Sequence, residues 1–116
     1  MRNLLIIFLV FGVSMVIAQP AQKLVRSGNS NYKDGHFKEA EIDYRKALTK
    51  SPGLPKATFN LGNSLYKQHN FDEALTQYQK LAQSENQEAS KSNVYYNMGN
   101  SLFENKKYKE SIDAYK

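Results

Sequence analysis

Side chains able to do acid–base or metal chemistry are few in this sequence. His36 and His69 are its only histidines and cysteine is absent, which removes disulfides, thiolate nucleophiles and thiolate-bound metals. Neither histidine belongs to an H-E-x-x-H array, and the chain has no nucleophile elbow and no phosphate loop. Both stand in short stretches, "KDGH" and "KQHN", that interrupt the apolar pattern, so they read as turn residues without a ligand set around them. A catalytic site, a metal, a cofactor and a small-molecule substrate are therefore not expected. The chemistry that recurs is amide chemistry. Gly-Asn-Ser stands at residues 28–30, 62–64 and 99–101, and each asparagine offers two N–H donors and an acceptor oxygen, the complement of a peptide backbone. Four residues after each glycine comes an aromatic ring, Tyr32, Tyr66 or Phe103, followed by Lys33, Lys67 or Glu104.

These tripeptides are landmarks of longer units. Gly28 and Gly62 are 34 residues apart, and Gly62 and Gly99 are 37 apart, a period that signals a repeat architecture. Aligned on the glycines, Phe37, Phe71 and Tyr108 fall together, as do Ala40, Ala74 and Ser111, and then Tyr44, Tyr78 and Tyr115. Within the second unit Leu61, Leu65, Phe71, Ala74, Leu75, Tyr78 and Leu81 succeed one another at helical spacing, one stripe on each of two successive helices. The pattern predicts helices over 20–34, 37–50, 55–68, 71–83, 89–104 and 107–116. Pro52 and Pro55 separate the first two units. Gly35 suits the left-handed residue that ends a helix, and Asn70 either takes that geometry or caps the next helix. Acidic residues Glu39, Asp72, Glu73 and Glu110 open second helices, while Lys46, Lys50 and Lys80 lie toward their ends, each favourable to the helix dipole. The glycines and the later small residues are expected where paired helices approach most closely, with Phe37, Phe71, Tyr108, Tyr44, Tyr78 and Tyr115 in the core.

Composition bounds the rest. The 116 residues are 41% hydrophobic with a formal charge of +5, enough for one small domain with a mild preference for anionic partners. The basic residues are spread around helices and form no single stripe, so nucleic acid is not expected as a partner. Residues 1–18 differ in kind: Arg2, an apolar run from Leu4 to Ile17 and the small-residue end Val16-Ile17-Ala18 have the form of a secretory signal peptide. An uncleaved anchor is the rival reading, although such a helix would span only about 21 Å against a hydrocarbon core of about 30 Å. The division expected is 1–18 signal peptide and 19–116 repeat domain, with repeats over about 21–54, 55–88 and 92–116. The third is incomplete, which points to a fragment of a longer array, or to pairing of an open face of Leu102, Phe103, Ile112 and Tyr115 with another chain.

The units resemble tetratricopeptide (TPR) repeats, whose pattern is W-x2-L-G-x2-Y, then A-x3-F, then P. The second unit reads Thr58-x2-Leu61-Gly62-x2-Leu65 with Ala74-x3-Tyr78. The first reads Leu24-x2-Ser27-Gly28-x2-Asn31, Ala40-x3-Tyr44 and Pro52, and the third Tyr95-x2-Met98-Gly99-x2-Leu102 with Ser111-x3-Tyr115. Ser27, Asn31 and Ser111 depart from the pattern as weaker packing choices. The resemblance implies an all-α fold, a right-handed superhelix of antiparallel helix pairs, in which first helices line a concave groove that holds peptide segments. Carried over, the groove residues are Asn29, Tyr32, Lys33, Asn60, Asn63, Tyr66, Lys67, Asn97 and Asn100. As exposed sites Asn63 and Asn97 are expected to become alanine together at a cost of no more than about 1 kcal/mol. The alternative is that these amides only solvate the helix. Asn29 and Asn60 match the two asparagines of the TPR clamp for chaperone C-termini, but Val25, Asn93 and Asn97 occupy its cationic positions, which excludes that ligand. A signal peptide followed by such units also resembles the exported TPR proteins of bacterial aerotolerance (Bat) operons. That implies a non-catalytic adaptor or scaffold in the periplasm or cell envelope, with a membrane-bound von Willebrand A-domain protein as partner. The alternative function is a self-associating module, a homo-oligomer formed through the third unit.

Overall fold

A computed structural model of the protein describes residues 20–84 and 90–116. The expected signal peptide, part of the turn between the second and third units, and the side chain of Tyr108 lie outside the described residues. Six helices stand in order among the described residues: α1 (Ala21–Lys33), α2 (Phe37–Lys50), α3 (Pro55–Lys67), α4 (Phe71–Ala82), α5 (Lys91–Glu104) and α6 (Tyr108–Tyr115). The chain is all-α among the described residues, and none of these helices is long and apolar enough to cross a membrane. Each helix packs on its neighbours in sequence, and α1 also touches α3 as α3 touches α5. The first helices of the three units thus stand side by side in a solenoid.

The turns within units are built alike. The backbone N–H of His36, Asn70 and Lys107 donates to the carbonyl of Asn31, Leu65 and Leu102 at 2.8, 2.9 and 2.8 Å, a wide closure that satisfies the carbonyls left over at a helix end. It requires a left-handed residue just before. Gly35 supplies it with φ +80°, whereas His69 and Lys106 supply it with φ +61° and +62°. Asn70 neither adopts that geometry nor caps α4 through its side chain. Pro55 sits in the first turn of α3, where its missing N–H would have no partner in any case.

The core follows the glycine register. A Cβ built on Gly28 or Gly62 would lie 2.6 Å from the ring of Tyr44 or Tyr78, too close for any real carbon, so each glycine makes room for the tyrosine sixteen residues on. Ala40 and Ala74 have no exposure. Ser111 holds the same place in the third unit, where its Oγ donates to the Gly99 carbonyl at 2.8 Å, so the polar choice is satisfied. Two expectations need correction. Leu102 is buried and is not part of an open face. Tyr115 is not core: 45% of it is exposed, because α6 packs on α5 alone among the described helices. Phe37 and Phe71 are half-buried, each edge-to-face with the tyrosine of the preceding helix, Tyr32 or Tyr66.

The two junctions between units differ. At the first, the buried Glu41 carboxylate accepts from Arg45 Nε at 2.8 Å and Gln68 Nε2 at 3.0 Å, while Arg45 Nη2 reaches Glu73 at 2.8 Å. Burial alone would push the Glu41 carboxyl up, but the hydrogen bonds from Arg45 and Gln68, with the charges of Arg45 and Lys38, hold it below its usual value. At the second junction the corresponding contacts gather on exposed Asp72, which accepts from Asn105 Nδ2 at 2.7 Å and faces Lys107 at 3.8 Å.

Candidate functional site

The three Gly-Asn-Ser asparagines come after a residue packed against a tyrosine, and the same tyrosine claims their carbonyl. Tyr44 Oη donates to Asn29 Oδ1 and Tyr78 Oη to Asn63 Oδ1, both at 2.6 Å, and Tyr115 Oη donates to Asn100 Oδ1. A second donor arrives from the next unit: Asn60 Nδ2 to Asn29 Oδ1 and Asn97 Nδ2 to Asn63 Oδ1, each at 3.0 Å. The sequence pattern predicts asparagines that turn away from the contact between helices. In the structure their oxygens are part of it, and only their Nδ2 groups remain for a ligand. The bond across the junction leaves Oδ1 of Asn60 and Asn97 without a partner among the described residues. Each junction therefore presents an amide donor beside an amide acceptor.

At the second junction this pair lies in a cleft of about 230 Å³ lined by Tyr32, Asn63, Tyr66, Lys67, Tyr78, Asn97 and Asn100. Six of the nine predicted groove residues meet there. Asn29 and Asn60 form the equivalent pair one unit earlier, outside this lining, and Lys33 is exposed beyond it. Tyr78 is the lining residue that the sequence pattern assigns to the core alone. Its position sixteen residues after Gly62 is the signal, since a ring seated on that glycine directs its hydroxyl at the next residue, Asn63. Burial pushes the phenols of Tyr78, Tyr32 and Tyr66 up, with the Glu104 carboxylate adding to the effect at Tyr66. These hydroxyls therefore stay protonated at neutral pH. Lys67 makes no ion pair among the described residues, so the cleft has one uncompensated cation on its wall.

A family model described as "Anaphase-promoting complex, cyclosome, subunit 3" matches residues 33–116. The chain belongs to this TPR-like repeat family. The match runs from the end of α1 through α6 and so takes in every residue of the cleft lining except Tyr32. No curated protein matches the chain. Among the described residues no cluster of His, Asp or Glu could hold a metal ion. The cleft offers amide, phenol and ammonium groups, which can pair with polar backbone and anionic side chains.

Proposed function

We propose that this TPR protein is a non-catalytic adaptor that holds an extended peptide segment of a protein partner in the groove along α1, α3 and α5. One observation carries the reading: at each junction a donor, Nδ2 of Asn29 or Asn63, stands beside an acceptor, Oδ1 of Asn60 or Asn97. An extended peptide presents N–H and C=O in the same alternation, so it can pair with both members, and a solvated helix face needs no such bridge. Lys67 favours an acidic residue in the segment. In the same reading the protein is exported and works in the cell envelope with a membrane-bound von Willebrand A-domain partner. That part is supported by the form of residues 1–18 and by the resemblance to Bat-operon proteins. A family named for a subunit of a multiprotein complex accords with an assembly role.

Asn63→Asp tests the groove cleanly. The carboxylate still accepts from Tyr78 and Asn97, but it has no N–H to offer and adds a negative charge. Peptides selected on the wild-type protein from a displayed library should lose at least about tenfold in affinity for the variant, the size of one charge-assisted contact. Unchanged retention by a variant with an unchanged melting curve would remove the groove reading. Self-association is favoured by a separate observation, the exposed Phe103, Ile112 and Tyr115; light scattering that finds a monomer at micromolar concentration would dismiss it.

A further inference from the structure

A pair of clefts lies between α2 and α4, away from the cleft described above. Two adjoining clefts, of about 400 and 280 Å³, share Leu48, Gln77 and Lys80 in their linings and have no residue in common with the groove cleft. Gln77 is the unusual member. It is only 8% exposed, yet its side-chain amide has no hydrogen-bond partner among the described residues. The amide atoms themselves are not sealed off, since Ser64 Oγ is the one buried side-chain polar atom without a partner among the described residues, so the Gln77 amide opens into the clefts. The amide lines both clefts, so it can be satisfied from outside the protein. The charges nearby select the visitor. Arg45 lines one cleft but is committed to Glu41 and Glu73, whereas Lys80 lines both and makes no ion pair among the described residues. Among the described residues no carboxylate lines either cleft. Leu48 and Leu81 supply an apolar wall.

We propose that this cleft docks an acidic side chain of a partner protein, flanked by an aliphatic residue. The carboxylate accepts from Gln77 Nε2 and Lys80 Nζ, Gln77 Oε1 accepts a backbone N–H of the partner, and the aliphatic side chain covers Leu48 and Leu81. The site is independent of the groove reading, and an adaptor with both would hold two partners on separate faces. The probe is acetyl-Leu-Glu-Leu-amide, titrated into the 15N-labelled full chain beside the neutral acetyl-Leu-Gln-Leu-amide. The acidic peptide should move the Gln77 side-chain amide signals saturably, with a Kd near about 1 mM, and leave those of Asn63 in place. Lys80→Gln should weaken this about tenfold, as expected for one charged hydrogen bond, and Gln77→Leu should abolish it while leaving the melting temperature equal or higher. Equal shifts with both peptides, shifts confined to Asn63, or no shift by about 10 mM peptide would overturn the proposal. Lys80 is exposed, so its variant reports even if Gln77→Leu does not fold.

Discussion

Truncating Asn63 should destabilise the protein, although the residue faces the groove. Tyr78 is 1% exposed, and its hydroxyl has Asn63 Oδ1 at 2.6 Å. Asn63→Ala takes away the acceptor of that largely buried hydroxyl, a loss of about 1–3 kcal/mol, and returns roughly 0.6 kcal/mol because alanine is the better helix former. The net loss is about 1–2 kcal/mol, larger than the small cost that the sequence pattern assigns to an exposed site. The cause is checked by a double-mutant cycle with Tyr78→Phe. With no hydroxyl to strand, Asn63→Ala in that background should be close to neutral, giving a coupling of about 1–2 kcal/mol. Urea unfolding followed by circular dichroism measures it, since a slope of about 1–1.5 kcal/mol per molar turns the single-variant loss into a midpoint shift of about 1 M. If the two substitutions add to within about 0.3 kcal/mol, the bond does not exist in solution, and the assignment of Asn63 Oδ1 as occupied fails with it. Asn63→Asp, which keeps the acceptor, should melt within a few degrees of wild type.

The same geometry sets further outcomes. Gly62→Ala places a methyl 2.6 Å from the Tyr78 ring and should cost about 1–3 kcal/mol by overpacking, read as a lowered urea midpoint; no change would mean that the α3–α4 contact is looser than described. Lys106→Gly relieves a left-handed residue and should stabilise by about 1 kcal/mol, whereas His69→Gly should gain less, since it also loses the ring contact with Phe71; thermal melts of the two compare them. Burial, with the nearby phenol of Tyr32 and the Asp43 carboxylate, raises the Tyr44 phenol to about 12 from 10.0. Its contribution is therefore complete below pH 10 and is lost as the pH climbs through the folded value, which a series of alkaline melts should show and Tyr44→Phe should lessen. Glu41 works in the opposite sense. With its carboxyl held low, its contribution is present above the ordinary carboxylate range and lost as the pH falls through the lowered value, so Glu41→Gln should flatten the acid limb of the same series.

Helix order and the glycine register are legible in the sequence because they rest on periodicity. Apolar residues at spacings of three and four can bury only one stripe, and a glycine repeated beside an aromatic sixteen residues on leaves few packings open. The features that escape are decided by atoms that periodicity does not address. The angle around the helix places Asn29 and Asn63 on the groove, but which end of an amide a tyrosine hydroxyl claims depends on a contact between two helices. The turn of the second unit misleads for a similar reason. Asn70 is by type the better left-handed residue, yet the position is fixed by counting from Leu65, whose carbonyl must receive the Asn70 N–H, and that puts His69 at the positive φ. Nearness in sequence groups Leu102 and Tyr115 as one open face. Leu102 belongs instead to the stripe of α5 that packs inward, and Tyr115 is half open because α6 has a single neighbour among the described helices. Gln77 has no signal at all in the sequence, since an unpaired amide is visible only once its surroundings are known.

The unequal junctions bear on how the array comes apart. In a linear array the coupling between neighbours decides which units melt together. The first junction is riveted by the buried Glu41 with Arg45, Gln68 and Glu73. Leu75 stands where Glu41 stood one unit earlier, and exposed Asp72 carries the equivalent contacts at the second junction. The third unit should thus detach as its own cooperative block, exchanging the amide hydrogens of α5 and α6 sooner than those of α1 to α4. The Asn63–Asn97 bridge crosses this second junction. A peptide bound to both amides would act as a splint on it, slowing exchange in helices it touches only at one edge and turning occupancy of the groove into stiffness of the whole rod.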